Sequence, residues 1–188
     1  NNDDATYESI ELRRRKDPLW ATGGEVLVKS SDTRTLILKD FTMHRHYDTW
    51  FAGASEFFVK CGTVENFTAT SEAELRLYSP QVTDFMIVVR RDQIGEALPF
   101  NAVLVSDWTE QLESFAFMVI EDDGGTMTSW KCSATVKIQS KSYGLELEIP
   151  FRKYDDVVWR GQLSSRYFEK NDDVQGRFGD ISMTFAFR

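Results

Sequence analysis

The sequence is poor in most of the residues that announce a reaction. It has two Cys, two His and four Pro in 188 residues, and no long apolar run. Two cysteines make no disulfide framework, and Cys61 and Cys132, each among apolar residues, read as buried thiols ahead of a bridge. No stretch approaches the ~18 uninterrupted apolar residues that a membrane-spanning helix needs. Gly-x-Ser-x-Gly, a glycine-rich phosphate loop and His-Glu-x-x-His are all absent. Basic residues are outnumbered, 22 Lys and Arg against 30 Asp and Glu, for a net charge of −8. That balance argues against nucleic acid, whose affinity comes from Lys and Arg neutralising phosphates. The one basic run, Arg13-Arg14-Arg15-Lys16, reads as a solvated strand end or edge guard.

What is present is apolar and aromatic. The chain is 41% hydrophobic and includes 14 Phe, 6 Tyr and 5 Trp, a globular composition. Period-two alternation dominates. Cys132, Ala134, Val136 and Ile138 alternate with polar residues, as do Tyr143, Leu145, Leu147, Ile149 and Phe151, and the polar break between the two runs predicts a hairpin. Ile181, Met183, Phe185 and Phe187 repeat the pattern, and so do Ala73, Leu75 and Leu77. Such strands belong to antiparallel sheets with one wet face. Phe85–Val89 and Phe115–Ile120 are apolar at every position and read as central strands. Further strands are expected near Tyr7–Leu12, Glu25–Lys29, Leu36–Tyr47, Ser55–Cys61, Phe100–Val105 and Val157–Leu163. About a dozen short strands with polar turns predict an all-β, single-domain antiparallel β-sandwich over 7–188, after a tether-like segment at 1–6. Helix is expected only as a turn or two from Asp107, where Asp-x-x-Glu110 resembles a capping box.

Three groups of residues could carry chemistry. His44, His46 and Asp48 fall at i, i+2 and i+4 of an expected strand, hence on one face, and make an acceptable zinc or iron shell. With no third His and no Cys-rich cluster in the chain, they read first as the solvent-facing polar residues of a half-buried strand. The paired acids Asp122-Asp123, Asp155-Asp156 and Asp172-Asp173, with Glu121 beside the first pair, occupy expected loops. Calcium takes about six to eight oxygens from such loops, although Asp and Gly are also ordinary turn residues. Lastly, Trp20, Trp50, Phe51, Trp108, Trp130 and Trp159 sit near expected strand ends. Exposed there, such rings would stack on sugars or enter a membrane interface; buried, they would close the ends of a sandwich. Trp50 and Phe51, beside the Gly53 turn, are the strongest candidates for exposure. Glu146 and Glu148 alternate with core residues and read as the wet face of one strand in preference to a glycosidase pair.

Gly53-Ala54-Ser55-Glu56-Phe57-Phe58-Val59-Lys60 resembles the Gly-x-Ser-Asp-Pro-Tyr-Val-Lys strand start of C2 domains, the calcium-dependent lipid-binding β-sandwiches. Trp108-Thr109-Glu110 followed by Phe115 and Phe117 looks like that family's Trp-Asn-Glu-x-Phe-x-Phe strand. Val119-Ile120-Glu121-Asp122-Asp123 is similar to the strand that ends in its Asp-x-Asp loop, and Asp156-Val157-Val158 with Gly161 is similar to the Asp-x-Ile-Gly that closes it. The resemblance implies calcium ligands at Asp48, Glu56, Glu121, Asp123 and Asp156. The chain departs from the pattern by a longer Asp48-to-Glu56 spacing, Glu in place of Asp at Glu56, and an expected hairpin between Phe117 and Asp156.

The sequence therefore predicts a C2-like, non-enzymatic binding or surface-interaction module, calcium-dependent through acidic loops at one end. Its expected partner is a membrane lipid, glycan or protein surface. A metal-independent carbohydrate- or protein-binding module using Trp50 and Phe51 is the alternative, and a metal-dependent hydrolase using His44, His46 and Asp48 the third reading. Asn1-Asn2-Asp3-Asp4 looks like the tether that follows a removed signal or lipid anchor, so an extracytoplasmic or secreted setting is expected. Asn66-Phe67-Thr68 is a glycosylation sequon, relevant in a eukaryotic secretory setting.

Overall fold

Every residue from Phe115 to Glu121 is buried, so the strand that carries them must be covered on both faces. A computed structural model describes residues 33–47, 53–169 and 173–188. The tether-like start, the strands expected near Tyr7–Leu12 and Glu25–Lys29, the basic run at Arg13 and Asp172 lie outside the described residues. Thr33–Arg188 forms one compact unit. Its strands are β1 (Arg34–Met43), β2 (Ala54–Thr63), β3 (Gln81–Arg90), β4 (Leu98–Trp108), β5 (Leu112–Glu121), β6 (Met127–Ile138), β7 (Lys141–Arg152), β8 (Asp156–Ser164), β9 (Asp173–Phe178) and β10 (Ile181–Phe187).

These strands make two antiparallel sheets, the all-β sandwich the alternation predicts. One runs β4-β1-β10-β9; the other runs β3-β2-β5-β6-β7, with β8 on the second edge of β5. The inner faces meet in an aromatic core. Phe117 lies 5.5 Å from Phe178 and 5.9 Å from Phe185, while Trp108 lies 5.4 Å from Phe115 and 5.1 Å from Phe187. Offset and edge-on ring pairs at these distances add about 0.5–1.5 kcal/mol each beyond their buried area.

The outer face of β5 is covered differently. Strand β6 pairs with β5 only at Leu112 and Ser114. Beyond that the β6–β7 hairpin lies over the sheet, where Ile149, Trp130, Leu147 and Phe151 pack against Ala116, Met118, Ile120 and Phe58. Its turn is Gln139-Ser140, with Gln139 at φ 55°. Gly62 on β2 permits this close approach, because a Cβ there would collide with the Leu147 side chain. Both cysteines are free, Cys61 on the inner face and Cys132 half-buried under the hairpin. Burial pushes both thiols up from their ordinary range.

Four expectations need correction. Ala73, Leu75 and Leu77 belong to a 3-10 helix, Glu72–Leu77. The Glu74 carboxylate accepts the Thr70 N–H and hydroxyl at 3.0 and 2.8 Å, and these local bonds close a turn that the alternation alone does not reveal. Asp107 begins no helix: β4 continues to Trp108, which is only 3% exposed, and a turn at Thr109–Leu112 follows. Phe85–Val89 is an edge strand, with Met86 and Val88 exposed. Strand β1 ends at Met43, short of the expected Tyr47. The short strand β9 carried too little alternation to be seen in the sequence.

Gly62→Val should destabilise the protein by about 1–3 kcal/mol through overpacking against Leu147. Urea denaturation of Gly62→Val/Leu147→Ala should show smaller loss than the sum of the single variants.

Candidate acidic loop site

Strand β5 leaves the core at Glu121 and turns through Asp122-Asp123-Gly124-Gly125 into β6. Gly124 and Gly125 take φ of 79° and 102°, left-handed values open to glycine at no steric penalty. The turn Arg152–Asp155, between β7 and β8, lies beside this loop, and Tyr154 N–H donates to Gly124 O at 3.2 Å. Asp155 clips the two together. Its buried carboxylate accepts the Asp123 and Gly124 N–H groups at 3.1 and 3.2 Å and the Arg152 N–H at 2.7 Å. Asp122 bonds the Gly124 N–H at 3.1 Å and lies 3.9 Å from the Arg152 guanidinium.

The neighbouring acids play another part. Glu121 and Asp156 are register partners across β5 and β8, and Asp123 follows from the clipped loop. Carboxylate oxygens of Glu121, Asp123 and Asp156 lie within 4.8 Å of one another, Glu121 buried and the other two exposed. Of the acids that the C2 resemblance selects, the fold thus brings three together from two loops distant in sequence. The Glu56 carboxylate is not among them. Glu56 precedes Phe57, the register partner of Glu121, so alternation turns its side chain to the other face; its backbone carbonyl accepts the Asp122 N–H at 2.9 Å. Asp48, Trp50 and Phe51 lie outside the described residues.

The histidines do not share a strand face, because β1 stops before them. His44 Nε2 lies 2.7 Å from the Ser182 hydroxyl. Among the described residues, the acidic trio is the only group of metal-binding side chains with mutual ligand spacing. Glu146 and Glu148 are exposed on β7, as expected of a wet face.

Trp20 also lies outside the described residues, and Trp108, Trp130 and Trp159 sit within strands. Trp108 is core, and Trp130 lies under Arg160 on the hairpin side. Trp159 meets Phe178 edge-on at 5.0 Å. With Tyr167, Phe168 and Val174 these two rings line a cavity of about 320 Å³ between β8 and β9, and among the described residues its one charged lining residue is Arg177. Gly161 and Gly176 make room for the rings: a Cβ would stand 2.9 Å from Trp159 and 2.7 Å from Phe178. Nothing in the sequence pattern marks this cleft, since it depends on which strands end up at the two sheet edges.

No family model, curated protein or solved structure matches this chain. Among the described residues no helix is long and apolar enough to cross a membrane.

The two halves of the Asp155-Asp156 pair should separate by mutation. Asp155→Ala should cost about 1–3 kcal/mol, because its buried carboxylate is the charged acceptor of the Asp123 and Arg152 N–H groups and shares that of Gly124 with Asp122. Asp156→Ala should stay within about 0.5 kcal/mol of the parent in metal-free buffer, as measured by urea denaturation.

Proposed function

We propose that the protein is a non-enzymatic binding module that takes calcium at the acidic end of a C2-like sandwich and presents that end to a partner surface. The observation that carries this reading is the convergence of Glu121, Asp123 and Asp156. Two carboxylates placed directly opposite each other on neighbouring strands repel, and a third nearby adds to the repulsion. A hard divalent cation reverses the sign of that interaction, and carboxylates, backbone carbonyls and water complete its shell. Asp155 supports the reading from behind, since it holds the loop geometry without using the trio's charge.

A site of only three carboxylates, two of them exposed, suits the weak range, with Kd of about 10⁻⁴–10⁻³ M, which fits an extracytoplasmic setting rich in calcium. Once loaded, the site would lose much of its local negative charge, and an anionic lipid headgroup becomes the favoured partner. Within this reading the His44-His46-Asp48 hydrolase has no support from the described residues.

A second reading has its own observation, the cleft between β8 and β9. Aromatic walls around about 320 Å³ suit a sugar ring or a single apolar group without any metal. Tyr167, 62% exposed at the rim, is the residue to test. If this reading holds, Tyr167→Ala should abolish binding on a glycan array probed in chelator while leaving the melting curve unchanged.

Thermal melts in chelator and in about 1 mM and 10 mM calcium test the main proposal. A ligand that binds only the folded state stabilises it by RT ln(1 + [L]/Kd), ~1.4 kcal/mol at ten times Kd. Tm should rise by a few degrees with calcium, and the rise should vanish in Asp123→Asn. Asp156→Asn should match or exceed the parent Tm in chelator and fall below it in calcium. A flat response in the parent protein would sink the calcium mechanism.

A further inference from the structure

The other end of the β2–β5 sheet presents a strand with a free edge. Among the described residues β3 pairs only with β2, along its whole length. The phase of that pairing tells which backbone groups are left over. Arg91 N–H donates to Gly53 O at 3.2 Å, so the odd-numbered residues of β3 direct their N–H and C=O groups toward β2. The even-numbered ones, Val82 to Arg90, direct theirs outward. The Arg90 N–H agrees with this phase, since it is held by the Gln93 side chain at 3.0 Å and not by β2.

The same even-numbered residues share one side-chain face, and that face is apolar in the middle and charged at the ends. Val82, Met86 and Val88 are 38%, 53% and 43% exposed. Asp84 and Arg90 flank the Met86–Val88 pair. Natural edge strands are commonly guarded by lysine, proline or a bulge. Strand β3 contains no lysine or proline, and its register with β2 is unbroken over ten residues.

We propose that this edge pairs antiparallel with the same edge of a second copy, giving a twofold dimer with a sheet continuous across it. Self-complementarity selects the occupant and the register. When Met86 stands opposite Val88 of the second copy, Asp84 stands opposite Arg90, Val88 opposite Met86, Arg90 opposite Asp84, and Ile87 opposite itself. The Asp84–Arg90 and Met86–Val88 pairs therefore occur twice and the Ile87 contact once, on the axis, as a twofold interface requires. The facing even-numbered residues belong to the outward-pointing phase, so Met86 and Val88 exchange backbone hydrogen bonds and the Arg90 C=O accepts the Asp84 N–H, the Arg90 N–H being held by Gln93. Asp84 is already bound to Lys60 through one oxygen at 2.8 Å, which leaves the other for the guanidinium. A slip of two residues sets Asp84 against Val88 in one direction and against Asp92 in the other, and loses both ion pairs either way. Opposite charges and apolar pairs across strands are the units that fix sheet register.

Light scattering of the full chain tests this across about 5–200 µM, a range in which a modest dimer dissociates on dilution. The mass should move from 21.7 kDa toward twice that value with concentration. Met86→Lys, at an exposed position, should keep the parent far-UV spectrum and raise the dimer Kd at least about tenfold, because the change enters a twofold interface twice. For the register, Ile87→Cys should form a covalent dimer on mild oxidation, and Met86→Cys and the parent should not. A parent chain that stays monomeric at the highest concentration would overturn the proposal, as would a dimer indifferent to Met86→Lys. Cross-linking through Met86→Cys and not Ile87→Cys would overturn the register.

Discussion

The burial of β5 on both faces is the constraint around which the rest of the chain is arranged. A strand with Phe115, Phe117 and Val119 on one side and Ala116, Met118 and Ile120 on the other needs a layer above and a layer below. An ordinary two-sheet sandwich supplies only one. The second layer comes from the β6–β7 hairpin, attached to β5 at its base and laid over the outer face. Gly62 sets how near the hairpin can come, and Phe58 and Trp130 fill the seam. Beyond that seam the outer face of β3 is the apolar exception, with Met86 and Val88 exposed.

The acidic end shows two neighbouring carboxylates with unlike work. Asp155 is buried, and its charge is spent on three backbone donors that hold two loops in one shape. Asp156 faces Glu121 across a strand pair and brings charge where charge already is. Concentrating carboxylates on exposed loops is tolerable because water screens them, whereas Glu121, buried beside them, lacks that screening. The distinction between adjacent residues follows from strand phase, since Asp155 ends the turn and Asp156 begins β8.

The alternation made most of the architecture legible. The β6–β7 hairpin and the closing strand β10 follow from period two, the doubly buried β5 from its unbroken apolar run, and their apolar positions are the observed core. The errors have identifiable physics. Thr70 and Glu74 make side-chain bonds that favour a turn over the strand that Ala73, Leu75 and Leu77 suggest. Continuous apolarity at Phe85–Val89 reads as centrality, yet Met86 and Val88 face outward at an edge, so composition alone did not locate the strand in its sheet. Glu121, Asp123 and Asp156 were nameable from the C2 resemblance, but their meeting depends on the β5–β8 register. The Trp159–Phe178 cleft was invisible for the same reason: edges are a property of topology and not of any segment.

Strand β1 has as its neighbours β4 and β10, and its pairing with β10 joins Leu36 to Phe187 and Met43 to Ile181. Thr35 and Arg188 close that ladder with two backbone hydrogen bonds, at 2.6 and 3.0 Å. Bringing together segments so far apart in the chain loses loop-closure entropy before any contact compensates, which slows folding. The β6–β7 hairpin, with its two-residue turn, has no such handicap and can form locally. Assembly should therefore start in the middle of the chain, with the hairpin and β5 early, and the sheet that joins the first described strand to the last should form late. During that interval β1 would remain an open template, so the time spent waiting for β10 is when the chain is most exposed to pairing with the wrong strand.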